Sequence, residues 1–433
     1  MHERADIAIV GGGAAGLMAA IIAGRVAQRA GSPLRIVALD GARKLGAKIL
    51  VAGGGRCNVT HHAVDESAYA GSSREQIRRV LRRFDVQHTT AFFRELGVEL
   101  KREDTGKLFP VSDDARTVLD ALLRAALGGG VHLLHPWRVA TVESTPQGFV
   151  TTEHADEPRI IRSRRLVLAT GGRSLPKTGS DGHGYSIVKS LGHSLTRRVF
   201  PSLVPLTLPS GHFLTLLSGL TFPATLELRA HTGRRLATFT NSTLCTHFGL
   251  SGPSVLDISR YYLDAAAEAK ETHAPPPTLT ISFLPEVTTE NLDGLLVETA
   301  SRKGPQSLAR VLQGRLPERL LRALCEDAGI DPTSTPARLT REQRRRIVES
   351  LTALPLPICG DRGFIFAEVT AGGVPLDQLN LKTMESRATP GLYLCGEICD
   401  VDGRIGGFNF QWAWASGFVA GSSAAESLLN ADS

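Results

Sequence analysis

Three glycines near the N-terminus have the spacing of a phosphate-binding turn. An apolar run breaks directly into Gly11, Gly13 and Gly16, in the pattern Gly-x-Gly-x-x-Gly, and an alanine-rich run follows. The first glycine permits a tight turn, the second lets the backbone approach a pyrophosphate, and the third lets helix and strand pack closely. The free N–H groups at the start of the following helix favour phosphate. We therefore expect a dinucleotide cofactor to contact Gly11, Gly13, Ala14, Ala15 and Gly16.

A second apolar run ends in a carboxylate at the distance expected for a dinucleotide fold. Residues 34–39 have the pattern of a buried strand, and Asp40 follows directly. In such folds an acidic residue at this place bonds the ribose hydroxyls. The order of strand, glycine turn, helix, strand and acid predicts an α/β domain with a Rossmann-like parallel sheet. Asp40 is accordingly a candidate ribose ligand.

A glycine-rich loop follows this strand and carries polar side chains. Its sequence from 53 to 60 is Gly-Gly-Gly-Arg-Cys-Asn-Val-Thr, which is too flexible and too polar for a core element. Glycine allows close approach to a ligand, Arg56 offers charge, and Asn58 and Thr60 offer hydrogen bonds. The candidate cofactor ligands of this region are Lys48, Gly54, Gly55, Arg56, Asn58 and Thr60.

Cys57 in this loop is one of six cysteines, which are scattered along the chain at 57, 245, 325, 359, 395 and 399. Their spacing predicts neither a disulfide framework nor a zinc site, and we expect no metal. Cys57 has no second cysteine four or five residues away, so dithiol relay chemistry is not expected. In a flavin enzyme the loop would reach the reactive ring, which makes Arg56 and Cys57 candidates for catalysis.

The loop at 53–60, together with the C-terminal stretch at 366–421, resembles the BaiN/RdsA family of bacterial NAD(P)/FAD-dependent oxidoreductases, flavoproteins of the two-dinucleotide-binding-domain type. The resemblance covers nearly the whole chain and is densest at 6–60, 105–118, 166–192, 241–259 and 366–421. It implies a glutathione-reductase-like FAD-binding domain, with FAD as cofactor and NAD(P)H as transient reductant. Two positions depart from the family pattern. His61 follows Thr60 where the family commonly has Asn, and Phe408 stands where the family usually has Tyr.

Two further glycine-rich strand ends are expected at the cofactor. The strand-like run at 166–168 ends in Ala-Thr-Gly-Gly, and the run at 391–394 ends in Cys-Gly-Glu. A closing helix then begins near Gly-Gly-Phe-Asn at 406–409. Its free N–H groups suit the flavin pyrimidine edge, where negative charge accumulates on reduction. The candidate cofactor ligands of these stretches are Thr170, Gly171, Gly396, Glu397, Asp402, Gly406, Gly407, Phe408 and Asn409.

The chain is predicted to form an FAD-binding domain that is interrupted by an insert. With 433 residues, 42 % of them hydrophobic, it should form two or three structural units. We place the first FAD-binding segment at 1–194, the inserted substrate or lid domain at 195–355, and the second FAD-binding segment at 356–433. The insert is expected to be β-rich at 195–285 and helical at 289–355. In the first segment we expect helices at 74–127 around a turn at 106–110, and an antiparallel meander at 131–162.

Charge and hydropathy bear on location and partners. No apolar run is long enough to span a bilayer, and the first strand begins within six residues of the N-terminus, so we expect a cytoplasmic protein without a signal peptide. The formal charge is +6, and residues 300–350 hold eleven basic residues, Lys303 among them, against six acidic ones. A second basic stripe consists of Arg78, Arg79, Arg82 and Arg83. Such stripes are either solvated helix faces or binding sites for a polyanion such as RNA.

The insert also contains a third catalytic candidate. His247 lies in Thr-His-Phe-Gly-Leu-Ser-Gly-Pro at 246–253, which matches a motif of the resembled family. Pro253 suits the first position of a helix. A histidine can donate a proton at neutral pH, whereas a histidine beside a helix start is often structural. Both interpretations of His247 stay open at this point.

Together these features predict an FAD-dependent oxidoreductase that passes a hydride from reduced flavin to an activated C=C bond. The resemblance implies steroid-like enones or a uracil ring in large-subunit ribosomal RNA as substrate, and the basic insert favours RNA. The alternatives are a small-molecule enone reductase or amine oxidase, and a flavin-bound RNA-binding or redox-sensing protein without turnover. The chain has no second Gly-x-Gly-x-x-Gly between strand and helix, so NAD(P)H would dock over the flavin. The sequence does not indicate an oligomeric state.

Overall fold

A computed structural model describes residues 2–302, 304 and 306–430, so Lys303 of the basic segment lies outside the described residues. The chain divides into two compact units. Unit 1 comprises Met1–Pro201 and Ala367–Ser433, and unit 2 comprises Ser202–Phe366. The first boundary lies seven residues beyond the expected 194/195, and the second lies eleven residues beyond the expected 355/356.

The helices and strands of the described residues alternate through most of unit 1. The α-helices, in chain order, are Ala14–Arg29 (α1), Ala47–Val51 (α2), Arg74–Leu81 (α3), Val86–Glu95 (α4), Ala115–Gly128 (α5), His183–Ser190 (α6), Phe213–Leu216 (α7), Pro253–Thr272 (α8), Thr289–Ser301 (α9), Leu308–Val311 (α10), Glu318–Asp327 (α11), Arg341–Thr352 (α12) and Phe408–Leu429 (α13). The strands are His2–Val10 (β1), Ile36–Leu39 (β2), Thr60–His61 (β3), Tyr69–Gly71 (β4), Leu100–Arg102 (β5), Lys107–Pro110 (β6), Val131–Leu134 (β7), Val139–Thr145 (β8), Gly148–Glu153 (β9), Ile160–Leu168 (β10), Phe200–Ser202 (β11), Leu206–Thr207 (β12), Thr221–Arg229 (β13), Arg235–Thr246 (β14), Gly249–Ser251 (β15), Thr278–Ser282 (β16), Leu354–Pro355 (β17), Gly360–Asp361 (β18), Val369–Ala371 (β19), Leu379–Asn380 (β20), Glu385–Ser386 (β21), Leu392–Leu394 (β22) and Val401–Gly403 (β23).

The main sheet of unit 1 has a parallel core in the spatial order β7-β2-β1-β10-β22. Counted along the chain, this is the doubly wound order 3-2-1-4-5 of Rossmann folds. Val10 pairs with Leu39 on one side and with Leu168 on the other. Leu168 in turn pairs with Leu394. The carboxyl ends of these four strands therefore share one edge of the sheet, which confirms the predicted Rossmann-like α/β fold.

Two local predictions are wrong. Residues 107–110 form β6, paired with β3 and β5, rather than a turn; the turn lies just before them and ends at Gly106, whose φ is +83°. β7 pairs in parallel with β2 and belongs to the main sheet, whereas the antiparallel meander consists of β8, β9 and β10. Short apolar strands have the same sequence pattern whether their neighbours run parallel or antiparallel. The pattern therefore could not identify the strand with which β7 pairs.

The first and last long helices of unit 1 touch through their backbones. A Cβ on Gly417 of α13 would lie 2.5 Å from the carbonyl oxygen of Ala15 in α1, and a Cβ on Gly421 would lie 2.2 Å from that of Ala19. Only glycine permits such an approach. The crossing fixes α13 beside the helix that follows the glycine turn.

Unit 2 has its own core and a seven-stranded antiparallel sheet in the order β17-β16-β13-β14-β15-β12-β18. Leu226, Ile281 and Leu324 are fully buried in this core. β18 pairs with β12 in this sheet, although its residues fall in the expected second FAD-binding segment. The 20-residue α8 lies within the region expected to be β-rich, and it begins at Pro253 as predicted. Of the described helices in either unit, none combines the length and the apolar composition needed to cross a bilayer.

Candidate cofactor site and active site

In the glycine turn after β1, Gly11 and Gly16 lie against protein atoms, whereas Gly13 faces open space. A Cβ on Gly11 (φ +110°) would lie 2.3 Å from the carbonyl oxygen of Ala169, and a Cβ on Gly16 would lie 1.8 Å from that of Gly11. A Cβ on Gly13 would meet no protein atom within 4 Å. Gly13 is also the N-cap of α1 and brings no side chain to the free N–H groups. The turn thus presents uncapped N–H donors to open space, which suits a pyrophosphate.

Asp40 lies at the same sheet edge, one residue after β2. Its Oδ2 accepts a hydrogen bond from the Gly12 N–H at 2.6 Å, and its Oδ1 accepts one from the Ala42 N–H at 2.7 Å. A carboxylate has about four lone-pair sites, so these two bonds leave acceptor capacity. The hydrogen bond from Gly12 orients the Asp40 carboxylate towards the glycine turn. The contact of Asp40 with a ribose stays a prediction.

Lys48 and Glu397 form the centre of a hydrogen-bonded cluster. The Lys48 Nζ lies 2.6 Å from Glu397 Oε2 and 2.6 Å from Ser174 Oγ. Glu397 Oε1 accepts from Ser174 Oγ at 2.7 Å and from the Thr370 N–H at 3.0 Å. Sequence reasoning proposed Lys48 and Glu397 separately as cofactor ligands and missed Ser174 and Thr370. The structure shows that the first two orient each other.

The loop at 53–55 has left-handed backbone at all three glycines, with φ of +59°, +69° and +85°. A Cβ on Gly54 would meet nothing within 4 Å, so this loop too faces open space at one glycine. Asn58, three residues further on, is 7 % exposed. Its Oδ1 is buried and has no hydrogen-bond partner among the described residues.

Arg56 points to carboxylates of the neighbouring hairpin. Its guanidinium lies 2.6 Å from Glu103 and 3.5 Å from Asp113, and 4.0 Å from the centroid of the Phe109 ring. The hydrogen bond that Arg56 donates to Glu103 raises the pKa of Arg56 above its ordinary value. Arg56 is therefore a fixed cation in this structure, and a direct contact with a cofactor or substrate stays a prediction.

Cys57 adopts a φ of +60° and is fully buried. Burial raises the pKa of its thiol to about 12, so the group is neutral at physiological pH and a poor nucleophile. This environment agrees with the absence of a partner cysteine and offers no support for thiolate catalysis. A catalytic role for Cys57 stays a prediction.

Four more buried polar atoms lack a partner among the described residues. Two of them, Thr151 Oγ1 and Ser163 Oγ, lie in β9 and β10. The other two, Thr170 Oγ1 and Ser180 Oγ, are neighbours of the next glycine stretch, since a Cβ on Gly171 (φ +74°) would lie 2.8 Å from Ser180 Oγ. A buried polar group without a partner costs about 1–3 kcal/mol. Together with Asn58 Oδ1 the latter two atoms are satisfied most simply by a polar ligand, and the site therefore fits a dinucleotide such as FAD.

The N-terminal end of α13 forms the remaining part of the candidate site. Gly407 is its N-cap, with φ +95° and no capping side chain, and a Cβ there would lie 2.5 Å from the Thr60 backbone. The Asn409 side chain bonds both the N–H and the carbonyl of Gly403 at 2.8 Å. The Phe408 ring stacks on His61 with centroids 5.0 Å apart. Uncapped N–H groups at the start of a long helix are again available to an acceptor.

Five further expected ligands lie beside these elements. Gly396 (φ +78°) follows β22 and donates its N–H to Ser416 Oγ at 2.9 Å. Asp402 is buried in β23, and Gly406 has a φ of +122°. Ala14 and Ala15 form the first turn of α1.

Gln411 is a residue of this region that sequence reasoning missed. It is 1 % exposed, and its Oε1 accepts from Thr60 Oγ1 at 2.7 Å and from Thr89 Oγ1 at 2.9 Å. Its Nε2 donates to the Phe84 carbonyl at 2.8 Å. A glutamine between the aromatic residues Phe410 and Trp412 was the available signal. The Gln411 side chain ties the glycine-rich loop to α13.

His247 lies in unit 2, in the tight turn between β14 and β15. It is exposed, and its ring meets the Phe248 ring edge-on, with centroids 5.0 Å apart and an interplanar angle of 82°. Pro253 opens α8 a few residues later, behind the N-cap Gly252. The histidine is accessible to an external ligand.

Residues 5–423 match the model of a family described as the HI0933-like protein Rossmann domain. The chain belongs to this HI0933-like family. It is 35 % identical over 421 residues to the 3-dehydro-bile acid delta(4,6)-reductase of Clostridium scindens, spanning 97 % of this chain and 99 % of that protein. It is 33 % identical over 422 residues to the ribosomal RNA dihydrouridine synthase of Escherichia coli, spanning 96 % of this chain and 97 % of that protein.

Among solved structures, a variant of E. coli quinol fumarate reductase FrdA matches with a TM-score of 0.52 and 14 % identity, over 100 % of this chain and 71 % of that chain. At this identity the match supports the fold alone. The family and the two relatives confirm the BaiN/RdsA resemblance described from the sequence. This HI0933-like protein is accordingly an FAD-dependent oxidoreductase.

Proposed function

We propose that this HI0933-like protein reduces an activated C=C bond by hydride transfer from reduced flavin, with a uracil base of ribosomal RNA as the favoured substrate and NAD(P)H as the transient reductant. The observation that carries the proposal is the full-length similarity to two relatives, one named a bile-acid reductase and the other an RNA dihydrouridine synthase. Dihydrouridine is uridine with its C5–C6 double bond saturated, so both names describe saturation of a conjugated bond.

The residues of unit 1 would hold the cofactor at the carboxyl edge of the sheet. FAD, when bound, supplies the hydride chemistry that no amino-acid side chain can supply. The open turn at Gly13 would donate N–H groups to its pyrophosphate, and Asp40 would accept from its ribose. The uncapped start of α13 would donate to the pyrimidine edge, where it stabilises negative charge. His247 is proposed as the proton donor to the substrate.

Some arginines of unit 2 support a polyanionic substrate, whereas others are already paired with carboxylates. Arg302, Arg322 and Arg344–Arg346 each lie within 4 Å of a carboxylate, although Arg345 and Arg346 share that of Glu342. Other exposed arginines in the described part of 300–350 have no carboxylate within that distance, namely Arg310, Arg315, Arg319, Arg338 and Arg341. Unpaired arginines can neutralise phosphates, which is the sequence-independent part of RNA binding.

The second candidate function is a small-molecule enone reductase, which the 35 % identity to the Clostridium scindens reductase favours. The two are separated by an anaerobic stopped-flow experiment. The holoprotein is first reduced with NADPH and then mixed with ribosomal RNA that lacks the modification, or with a simple enone, while the flavin absorbance is recorded. Rapid reoxidation by the RNA alone supports the proposal, and reoxidation by the enone alone replaces it with the small-molecule reductase. Tight RNA binding without reoxidation by either compound would favour a protein without turnover.

A further inference from the structure

Unit 2 carries an arginine in contact with two aromatic rings at its surface. The guanidinium carbon of Arg362 lies 4.2 Å from the centroid of the Phe248 ring and 4.1 Å from that of the Phe366 ring. At these distances the cation interacts with both π-systems. Among the described residues, the guanidinium makes no ion pair with a carboxylate. The contact with the two rings is thus its main interaction.

The sheet of unit 2 brings these side chains together from distant parts of the chain. β12 pairs with β15 on one side and with β18 on the other. Phe248 directly precedes β15, and its carbonyl accepts from the Leu208 N–H at 3.0 Å. Arg362 directly follows β18, and its N–H donates to the Pro205 carbonyl at 3.2 Å. Both backbones are therefore anchored to the segment that contains β12, which holds the ring and the guanidinium in register.

The cluster is partly exposed, with Phe248 and Arg362 half-buried. Phe366 is 48 % exposed, and its neighbour Ile365 is 61 % exposed. The exposed His247 ring packs edge-on against Phe248 and holds that ring from the side. Large apolar side chains with this much exposure, placed beside an unpaired cation, are typical of a binding surface rather than of a core.

We propose that Phe248, Arg362 and Phe366 form a stacking platform for an unpaired base of the RNA substrate. This inference rests on the proposed function and names the surface that recognises that substrate. Unpaired RNA bases stack on aromatic rings and on guanidinium planes, and the attached phosphate is attracted by the cation. A steroid enone is less suited, because most of its fused rings are saturated and have no π-face. The platform is distinct from the dispersed arginines of unit 2, which contact phosphates without regard to the base.

The test measures binding of the oxidised holoprotein to two labelled single-stranded oligonucleotides by fluorescence anisotropy. One is an oligouridylate, and the other has the same length and phosphate number but contains abasic residues at its centre. The probe pair separates stacking from phosphate contacts, because only the first can stack. Phe366→Leu is the main variant because the side chain is half exposed and leucine retains apolar bulk. Arg362→Gln is the second variant.

The expected results differ between platform variants and controls. Phe366→Leu should weaken binding of the oligouridylate about 5- to 140-fold, which corresponds to the ~1–3 kcal/mol per stacked base at 1.4 kcal/mol per tenfold, and should leave binding of the abasic strand unchanged. Leu216→Ala, which alters another exposed apolar side chain of unit 2, should change neither. Arg319→Gln should weaken both strands equally and reduce the salt dependence.

Equal affinity of the wild-type protein for the two strands would overturn the platform. A loss of enone turnover in Phe366→Leu, with unchanged RNA binding, would also overturn it and assign the surface to a small molecule. The results that would refute the platform differ from those that would refute the proposed function. Discrimination between the strands without oxidation of the flavin by RNA refutes uracil reduction but retains the platform, whereas unaltered uracil reduction and RNA affinity in Phe366→Leu refute the platform alone.

Discussion

The open space at Gly13 allows a substitution that separates cofactor binding from folding. Gly13→Ala adds a single methyl group at a position where no protein atom lies within 4 Å. The backbone there has φ −83° and ψ −169°, which alanine adopts without strain. The new methyl group would occupy the space through which a pyrophosphate reaches the N–H groups of α1. The substitution should therefore weaken cofactor binding without destabilising the apoprotein.

The magnitudes follow from this geometry. The apoprotein should be as stable as the wild type or more stable by about 0.4–1 kcal/mol, because alanine restricts the unfolded chain. Loss of one hydrogen bond to a charged phosphate costs about 1.5–3 kcal/mol. The dissociation constant for FAD should then rise about ten- to 140-fold.

Two other glycine substitutions serve as matched controls. In Gly16→Ala the methyl group would lie 1.8 Å from the Gly11 carbonyl oxygen, so α1 and β1 must separate, and the free energy of unfolding should fall by about 1–3 kcal/mol or more. Gly294 lies in the interior of α9 with nothing within 4 Å of an added Cβ. Gly294→Ala should stabilise its helix by about 0.5–1 kcal/mol and leave FAD binding unchanged.

Urea denaturation of each apoprotein gives the free energy of unfolding, and titration with FAD followed by flavin fluorescence gives the dissociation constant. Gly13→Ala is the decisive variant. Unchanged FAD affinity in a folded Gly13→Ala protein would show that the cofactor does not approach this glycine. A destabilised Gly13→Ala apoprotein would show that the space around Gly13 is filled by protein.

Three further results are expected. Lys48→Met should lower the free energy of unfolding by about 1–3 kcal/mol in urea denaturation, because the largely buried Glu397 carboxylate loses its cation. Lys48→Arg should lower this free energy by less. An equal decrease in the two variants would contradict a charge effect. Burial raises the pKa of the Cys57 thiol from 9.0 to about 12, so the unfolded chain releases this proton first. The contribution of the buried thiol to stability should be complete below pH 9 and decline between pH 9 and 12, and a Cys57→Ala protein that keeps the same alkaline slope would refute this. His247→Gln should lower turnover about 100-fold or more with flavin reduction by NADPH unchanged, and unaltered turnover would remove His247 as the proton donor.

Local sequence patterns were sufficient for the elements at the carboxyl edge of the main sheet in unit 1. The buried runs that become β1, β2, β10 and β22 each have a glycine or an acid within three residues of their end, and the structure places these ends along one edge. The start of α8 at Pro253 followed from helix-capping rules alone. The same patterns failed for β6 and β7, because strand pairing depends on residues elsewhere in the chain.

The candidate site shows the same division between short-range and long-range information. Lys48 and Glu397 were each identified from their local context, yet nothing in the sequence indicated that they bond each other, because they are 349 residues apart. Gln411 and Thr60 are 351 residues apart, and their hydrogen bond exists only because α13 packs on the glycine-rich loop. The cluster of Phe248, Arg362 and Phe366 likewise requires β12 to pair with both β15 and β18.

The sequence by itself determined the glycine turn, the strand ends, the helix starts and the family to which the chain belongs. These properties depend on backbone freedom, hydrophobic periodicity and capping, all of which act over a few neighbouring residues. Only the tertiary structure decided which polar groups are satisfied by protein and which are left for a ligand. Arg56 is paired with Glu103, whereas Asn58 Oδ1 has no partner among the described residues. The physical reason is that the burial and pairing of a polar side chain are set by elements that fold against it from distant parts of the chain.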